Sequence, residues 1–418
     1  MRNALLLVLL LSVSLVAQSP PVARSTAAGT FDVARAGVID RGLQRYIDAE
    51  RVPGIVALVL QDGQVVYEKA FGWADKEAGR RMTADTIFRI ASQTKALTSV
   101  AIMQLVEEGS LTLTTRAATF IPSFAKTMVA VANEGTVTQV PARRPITVRD
   151  LLTHTAGISY GTDPSVAAMY EAKGLGPAAG FGWYTADKNE PVCDTMERLG
   201  TLPFVSQPGE SWVYGYNTDI LGCIVEKASG TPLDAYLRDR ITVPLGMKDT
   251  QFFLPAAQKD RLAAVYASGA DGKFVRAPDG ARGQGHYVDG PRRSFAGGAG
   301  LLSTARDYAR FLEALRRGGS IESTRVLSPL SVRLMSTNQV GTLHSSTGLG
   351  FGLGFQTVDR FGANGMSREG TFGWGGAYGS AYRVDPESRL VMVLMIQLIP
   401  NATDLGTVFP SLVYQALR

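Results

Sequence analysis

The 418-residue sequence predicts an α+β fold, an antiparallel sheet flanked by helices with a helical lobe inserted between the terminal strands. Three observations carry this. Ile55 to Leu60 and Val65 to Phe71 are β-rich runs separated by Gln61-Asp62-Gly63-Gln64, and the Asp-Gly pair tolerates the positive φ of a tight hairpin. Towards the other end, Ser380 to Val384 and Leu390 to Leu398 flank Asp385-Pro386-Glu387-Ser388, a second hairpin. Between the two, the apolar positions recur mostly at helical spacing. At roughly 150 residues per domain the length suits two or three units or one large interleaved fold. Strands at both ends favour one unit over residues 30–418, with an α/β lobe of about 30–90 plus 295–418 and a helical lobe of about 91–294.

The elements follow in order. Met1-Arg2-Asn3 is a short charged start, Ala4 to Ala17 is almost unbroken apolar sequence, and Ala17 and Ser19 are small. This reads as a signal peptide over 1–19, too short for the ~20 residues of a bilayer span, so the mature chain is expected to be exported, periplasmic or secreted, with no stable membrane span. Ile39, Leu43, Tyr46 and Ile47 lie on one helical face that stops before Pro53-Gly54. After Ser92 the positions Leu97, Val100, Ala101 and Leu105 follow a helical period to Gly109, and further helical patterns cover Asp150 to Thr155, Thr218 to Ser229 and Pro232 to Arg240. The stretches near 120–145, 160–190 and 270–295 are pattern-poor loops expected to shape a pocket. Thr304-Ala305-Arg306-Asp307 has the form of a capping arrangement ahead of the face Tyr308, Phe311, Leu312 and Leu315, which Gly318-Gly319 stops. The run Leu390 to Leu398 is apolar on both faces and belongs inside its sheet.

Composition narrows the chemistry. The 42 Lys and Arg against 37 Asp and Glu leave a charge of +5 without a basic block, so nucleic acid is not an expected partner. Three histidines and two cysteines, with no H-E-x-x-H or C-x-x-C, are thin material for zinc and leave a histidine-based triad few bases. In an exported chain Cys193 and Cys223 fit a disulfide or two buried thiols equally well.

The sharpest feature is Ser92-Gln93-Thr94-Lys95 at the start of a helix. Positions three apart share a helical face, so the lysine amine reaches the serine hydroxyl, and the helix N-terminus favours an oxyanion there. A desolvated lysine is one way to activate a serine. Phe88 to Lys95, Ile146 to Gly157, Pro208-Gly209, Trp212-Val213-Tyr214, Gly297 to Thr304 and Phe372 to Gly376 together resemble the serine hydrolases related to class C β-lactamases and D-alanyl-D-alanine peptidases. The resemblance covers about residues 35–415 and lies nearest the family VIII carboxylesterases.

That resemblance implies a β-lactamase-like fold and an acyl-enzyme mechanism on a small-molecule ester, with neither metal nor cofactor. It makes Ser92 the nucleophile, Lys95 its partner and Tyr214 the phenol that takes and returns the serine proton, with Tyr216 in the place of the β-lactamase motif's asparagine. Tyr216 is the alternative for the phenol itself. Trp374-Gly375-Gly376 stands where β-lactamases have Lys-Thr-Gly, and the N–H groups of Ser92 and Ala377 are the implied oxyanion hole. An indole supplies no charge for a lactam carboxylate, and together with the missing asparagine this favours neutral esters over lactams; the expected substrates are small, short-acyl esters. Amide hydrolysis of the β-lactamase or peptidase type, a penicillin-binding module without turnover, and acyl transfer are the other readings.

Two motifs are set aside. Gly157-Ile158-Ser159-Tyr160-Gly161 fits the G-x-S-x-G nucleophile elbow, with His286 or His344 as an imaginable base, but an elbow needs a strand before the serine and a helix after it. Here a helical pattern precedes it and Thr162-Asp163-Pro164 follows. His154 is expected to bond within the loop after its helix. Gly348-Leu349-Gly350-Phe351-Gly352 lacks the setting of a nucleotide loop and reads as strand packing.

Overall fold

The computed structural model describes residues 29–133, 136–176, 186–281 and 283–418; the leader expected over 1–19 lies outside them. Asp62 and Gly63 both take positive φ (53° and 80°), the geometry that matches a two-residue turn to strand twist. That turn joins β1 (Gly54–Gln61) to β2 (Gln64–Asp75), followed by β3 (Arg80–Arg81). The C-terminal third supplies β4 (Leu349–Phe351), β5 (Gln356–Val358), β6 (Phe372–Gly375), β7 (Ala381–Asp385) and β8 (Leu390–Met395). Among the described residues these form one antiparallel sheet in the order β4-β5-β6-β7-β8-β1-β2-β3. Every residue of β8 is buried, and Val56 pairs with Met395 and Leu60 with Val391, so the two ends of the chain meet at the sheet centre.

Strand alternation divides the core. Val56, Leu58, Val391 and Val393 face one cluster, while Ile55, Ala57, Met392 and Leu394 face another. The helices that frame the sheet and the site include α1 (Ala36–Asp48), α2 (Thr94–Glu107), α3 (Val148–Leu152), α4 (Val192–Leu199), α5 (Asn217–Ser229), α6 (Ala305–Arg316) and α7 (Leu405–Tyr414). Helices α1 and α7 cover the second face, and α2 and α6 contribute to the first. Helix α2 is buried from Thr94 to Leu105 because its residues are apolar or small nearly all round, which a central helix requires. Cys193 on α4 and Cys223 on α5 form a disulfide, resolving the two options left by their spacing.

Some local expectations change. Residues Met128–Asn133 and Thr136–Pro141 form a hairpin where the sequence shows only a loop. Its second strand is exposed throughout, so no alternating apolar pattern marks it. At the start of α6, Thr304 Oγ1 accepts the Asp307 N–H at 3.2 Å, but the Asp307 carboxylate turns to the Asp249 N–H (2.7 Å) and the Thr250 hydroxyl (3.0 Å). Half of the expected capping box is therefore spent on fixing a neighbouring loop. The full box is at α3, between Thr147 and Asp150.

Candidate active site

Ser92 lies in a single 3₁₀ turn, Ala91–Gln93, that runs directly into α2. Ala91 holds φ +43°, a left-handed conformation that costs an L-residue free energy and lifts the serine out of the preceding strand. The end of β6 comes close at this turn: a Cβ on Gly376 would stand 2.5 Å from the Ile90 carbonyl oxygen, so only glycine fits. Among the described residues neither the Ser92 nor the Ala377 N–H donates to a backbone acceptor. Both residues line one cavity of about 740 Å³, with Tyr160, Tyr214, Trp374 and Gly375.

Lys95, one helical turn on, is buried. Its Nζ donates to Ser92 Oγ at 3.2 Å, to the Tyr160 hydroxyl at 3.0 Å and to the Gly298 carbonyl at 2.7 Å. Three donors meet three acceptors, as an ammonium in a desolvated position requires. The Gly298 N–H in turn donates to the buried Asp219 Oδ1 at 3.0 Å. A Cβ on Gly298 would lie 2.4 Å from Asp219 Oδ2, so the glycine lets carboxylate and backbone close together. Asp219 thereby supports, through one residue, the carbonyl that anchors the lysine.

Tyr214 stands beside this cation, with Nζ 4.8 Å from its ring centre. Its hydroxyl accepts the Trp374 indole N–H at 3.2 Å, and its ring meets that of Tyr160 edge-on at 5.7 Å. Burial, and then the neighbouring Tyr214, push the Tyr160 phenol well above its ordinary range, so Tyr160 remains a protonated donor. Tyr160 thus touches both the Lys95 amine and the Tyr214 ring. The buried His154 ring packs against Tyr214 with ring centres 4.9 Å apart and planes tilted by 39°, and receives the Asn217 amide on Nδ1 at 3.0 Å, so its partner is on α5 and not in its own loop. Desolvation, followed by the Lys95 charge, holds His154 well below 6.5 and keeps the imidazole neutral.

Ser92, Tyr214, Trp374, Gly375, Gly376 and Ala377 line this cavity and Lys95 bonds Ser92 beside it, whereas Tyr216 lies apart. Its side chain is fully buried and its hydroxyl donates to the Leu175 carbonyl at 3.2 Å, away from the cavity lining. Its position is set by being the residue just before α5, where the chain turns inward. Tyr160 takes the place beside the lysine instead. No sequence signal singles it out, because it sits inside the G-x-S-x-G match; Ser159 itself is buried and accepts the Gly161 N–H at 3.1 Å, with neither strand before nor helix after. Of the three loops expected to shape the pocket, only the segment of Tyr160 and Thr162 lines it among the described residues; Ile399, Pro400 and Asn401 after β8 supply the opposite wall. Among the described residues no group of three or more His, Cys, Asp or Glu side chains is placed to hold a metal ion.

A serine at a helix start with a lysine one turn later, beside the edge of an antiparallel sheet, defines a serine hydrolase of the β-lactamase fold. The chain belongs to the Beta-lactamase family, whose model matches residues 39–408. It is 35% identical over 381 residues to Protein Rv1367c of Mycobacterium tuberculosis, covering 86% of this chain and 89% of that protein. It is 32% identical over 392 residues to esterase EstB of Burkholderia gladioli, covering 90% and 92%. Among solved structures it resembles EstCE1, described as a hydrolase with promiscuous acyltransferase activity, with a TM-score of 0.76, 26% identity and coverage of 92% and 98%.

Proposed function

We propose that this protein is an exported carboxylesterase that cleaves small, short-acyl esters through an acyl-Ser92 intermediate. The observation that carries the reading is the meeting of Ser92, Lys95 and Tyr214 at one cavity, where Lys95 bonds Ser92 and Tyr160 and stands beside the Tyr214 ring, with an indole at the third motif. Ser92 Oγ attacks the ester carbonyl while Tyr214, acting as its phenolate beside the Lys95 amine, takes the serine proton and becomes the neutral phenol, and the carbonyl oxygen becomes an oxyanion held by the Ser92 and Ala377 N–H groups. Collapse breaks the ester C–O bond, and the Tyr214 proton passes to the departing alcohol. Water repeats the sequence on the acyl-enzyme, giving the acid and free Ser92. Lys95 keeps its three bonds throughout and supplies fixed positive charge. Export is supported by the apolar start of the chain and by the Cys193–Cys223 disulfide, a link that persists in oxidising compartments.

The test is hydrolysis of 4-nitrophenyl esters from acetyl to dodecanoyl, beside a chromogenic cephalosporin, by wild type and Ser92→Ala. We expect the highest kcat/KM at four acyl carbons or fewer, slower cephalosporin turnover, and at least a 10³-fold loss in Ser92→Ala. A maximum at eight carbons or more contradicts the short-acyl preference, and an active Ser92→Ala contradicts the nucleophile. Transfer to an added alcohol is a second reading, favoured by the description of EstCE1; ester formation that outpaces hydrolysis at millimolar alcohol distinguishes it.

A further inference from the structure

A second cavity, of about 420 Å³, shares no lining residue with the one at Ser92. Its volume falls in the range that small-molecule sites occupy. Phe252 and Phe253, both buried, and the half-buried Phe295 give it an aromatic lining, with the Phe295 ring edge-on to Phe252 at 5.4 Å and to Phe253 at 6.1 Å between centres. The exposed Val243 also lines it, so apolar surface reaches solvent here. The wall is tied to the catalytic machinery. Gly300 packs so closely on Phe252 that a Cβ there would stand 2.6 Å from its Cδ1, and the same segment presents the Gly298 carbonyl to Lys95 and the Leu301 N–H to Thr94 Oγ1 at 3.1 Å.

Charge is unbalanced around these rings. Arg238, Lys248 and Arg292 line the cavity against a single carboxylate, Asp234. Arg238 is paired outside it, with Nε and Nη2 donating to Asp239 at 2.8 and 3.0 Å. Lys248 makes no hydrogen bond or ion pair among the described residues. Arg292 holds its guanidinium carbon 5.8 Å from the Phe253 ring centre and donates Nη2 to the Leu254 and Val288 carbonyls at 3.0 and 2.9 Å, and no carboxylate among the described residues pairs with it. Its backbone takes φ +53°, a left-handed conformation that costs an L-residue free energy and that ligand clamps often retain. Both cations are exposed, so neither charge needs a partner to exist there. Beside three aromatic rings they complement a ligand that is apolar at one end and anionic at the other.

We infer that this cavity is a second ligand site, taking small carboxylates with an apolar, preferably aromatic, body. The rings bury the body, and Lys248 and Arg292 receive the carboxylate. The inference goes beyond the esterase reading and does not rest on it, although hydrolysis of an ester releases acids of this class. An occupant also bears on the segment that holds Gly298 against Lys95.

Calorimetry of the full chain with sodium 4-phenylbutanoate, beside neutral 4-phenylbutanamide and sodium acetate, tests this without turnover. Wild type is expected to bind the carboxylate at least tenfold more tightly than the amide or acetate, and less tightly as salt rises. Lys248→Gln/Arg292→Gln weakens that binding at least tenfold, and so does Val243→Glu, which adds a like charge at an exposed position and leaves both cations in place. Binding no tighter than that of the amide, or unchanged in either variant, overturns the inference, as does no binding at all. Equal melting temperatures of wild type and Val243→Glu certify that the wall is intact. A probe seated at Ser92 would compete with ester, so hydrolysis of 4-nitrophenyl acetate separates the two cavities: an unchanged KM at saturating probe supports the second site, and purely competitive inhibition overturns it. If no ester is turned over, the esterase reading fails on its own and the titrations still decide.

Discussion

Tyr160 shows how much of the site depends on single atoms. Its hydroxyl accepts from Lys95 and its ring meets Tyr214 edge-on, so loss of the hydroxyl leaves one lysine proton without an acceptor beside the phenol. Tyr160→Phe is expected to lower kcat on a short-chain aryl ester by at least tenfold with KM within about twofold, since the missing group touches Lys95 and not the ester. A change confined to KM would show that Tyr160 is only part of the wall. Ser92 and Lys95 were legible because they lie three apart on one helix, a spacing that a sequence displays. Tyr160, Asp219 and Gly298 were not, because they reach the lysine from three separate segments, and no local pattern encodes that meeting.

Among the elements, α3 and α5 are coupled to the phenol through His154, whose ring lies on Tyr214 and receives Asn217. Because burial holds this imidazole far below 6.5, the folded protein stays unprotonated there while the unfolded chain takes up a proton as pH falls past ~6.5. The unfolded state then binds more protons, so stability present at pH 7 is lost on acidification, by up to about 1.4 kcal/mol per pH unit from this group. His154→Asn, chosen because asparagine accepts the φ of +56° at this position, is expected to melt with a shallower pH dependence than wild type between pH 6.5 and 5. Equal slopes would show that the histidine is not held neutral. The central elements themselves were readable: α1, the hairpin β1–β2, α5, the face of α6 and the fully buried β8 follow from period and turn chemistry. The hairpin of residues 128–141 and the wall after β8 were not, since one is solvated and the other is placed by the sheet it follows.

For the whole molecule, the decisive relation is that the two chain ends build one sheet in which the end of β6, an inner strand between β5 and β7, closes over the start of α2, so the Ser92–Lys95 pair and the glycines of β6 are held by different parts of the chain. The sequence indicated this through β-rich runs at both ends with helical periodicity between. What it hid is the second cavity, because its wall is assembled from residues 234–253 and 292–301, two segments that no local pattern links. The central claim is that Ser92 carries the acyl group. Its most direct test is intact-protein mass spectrometry of the enzyme quenched in acid within milliseconds of mixing with a 4-nitrophenyl ester. The account predicts a mass increase equal to one acyl group, mapped to the peptide containing Ser92 and absent from Ser92→Ala. An adduct on Ser159, or the same adduct in Ser92→Ala, would contradict it.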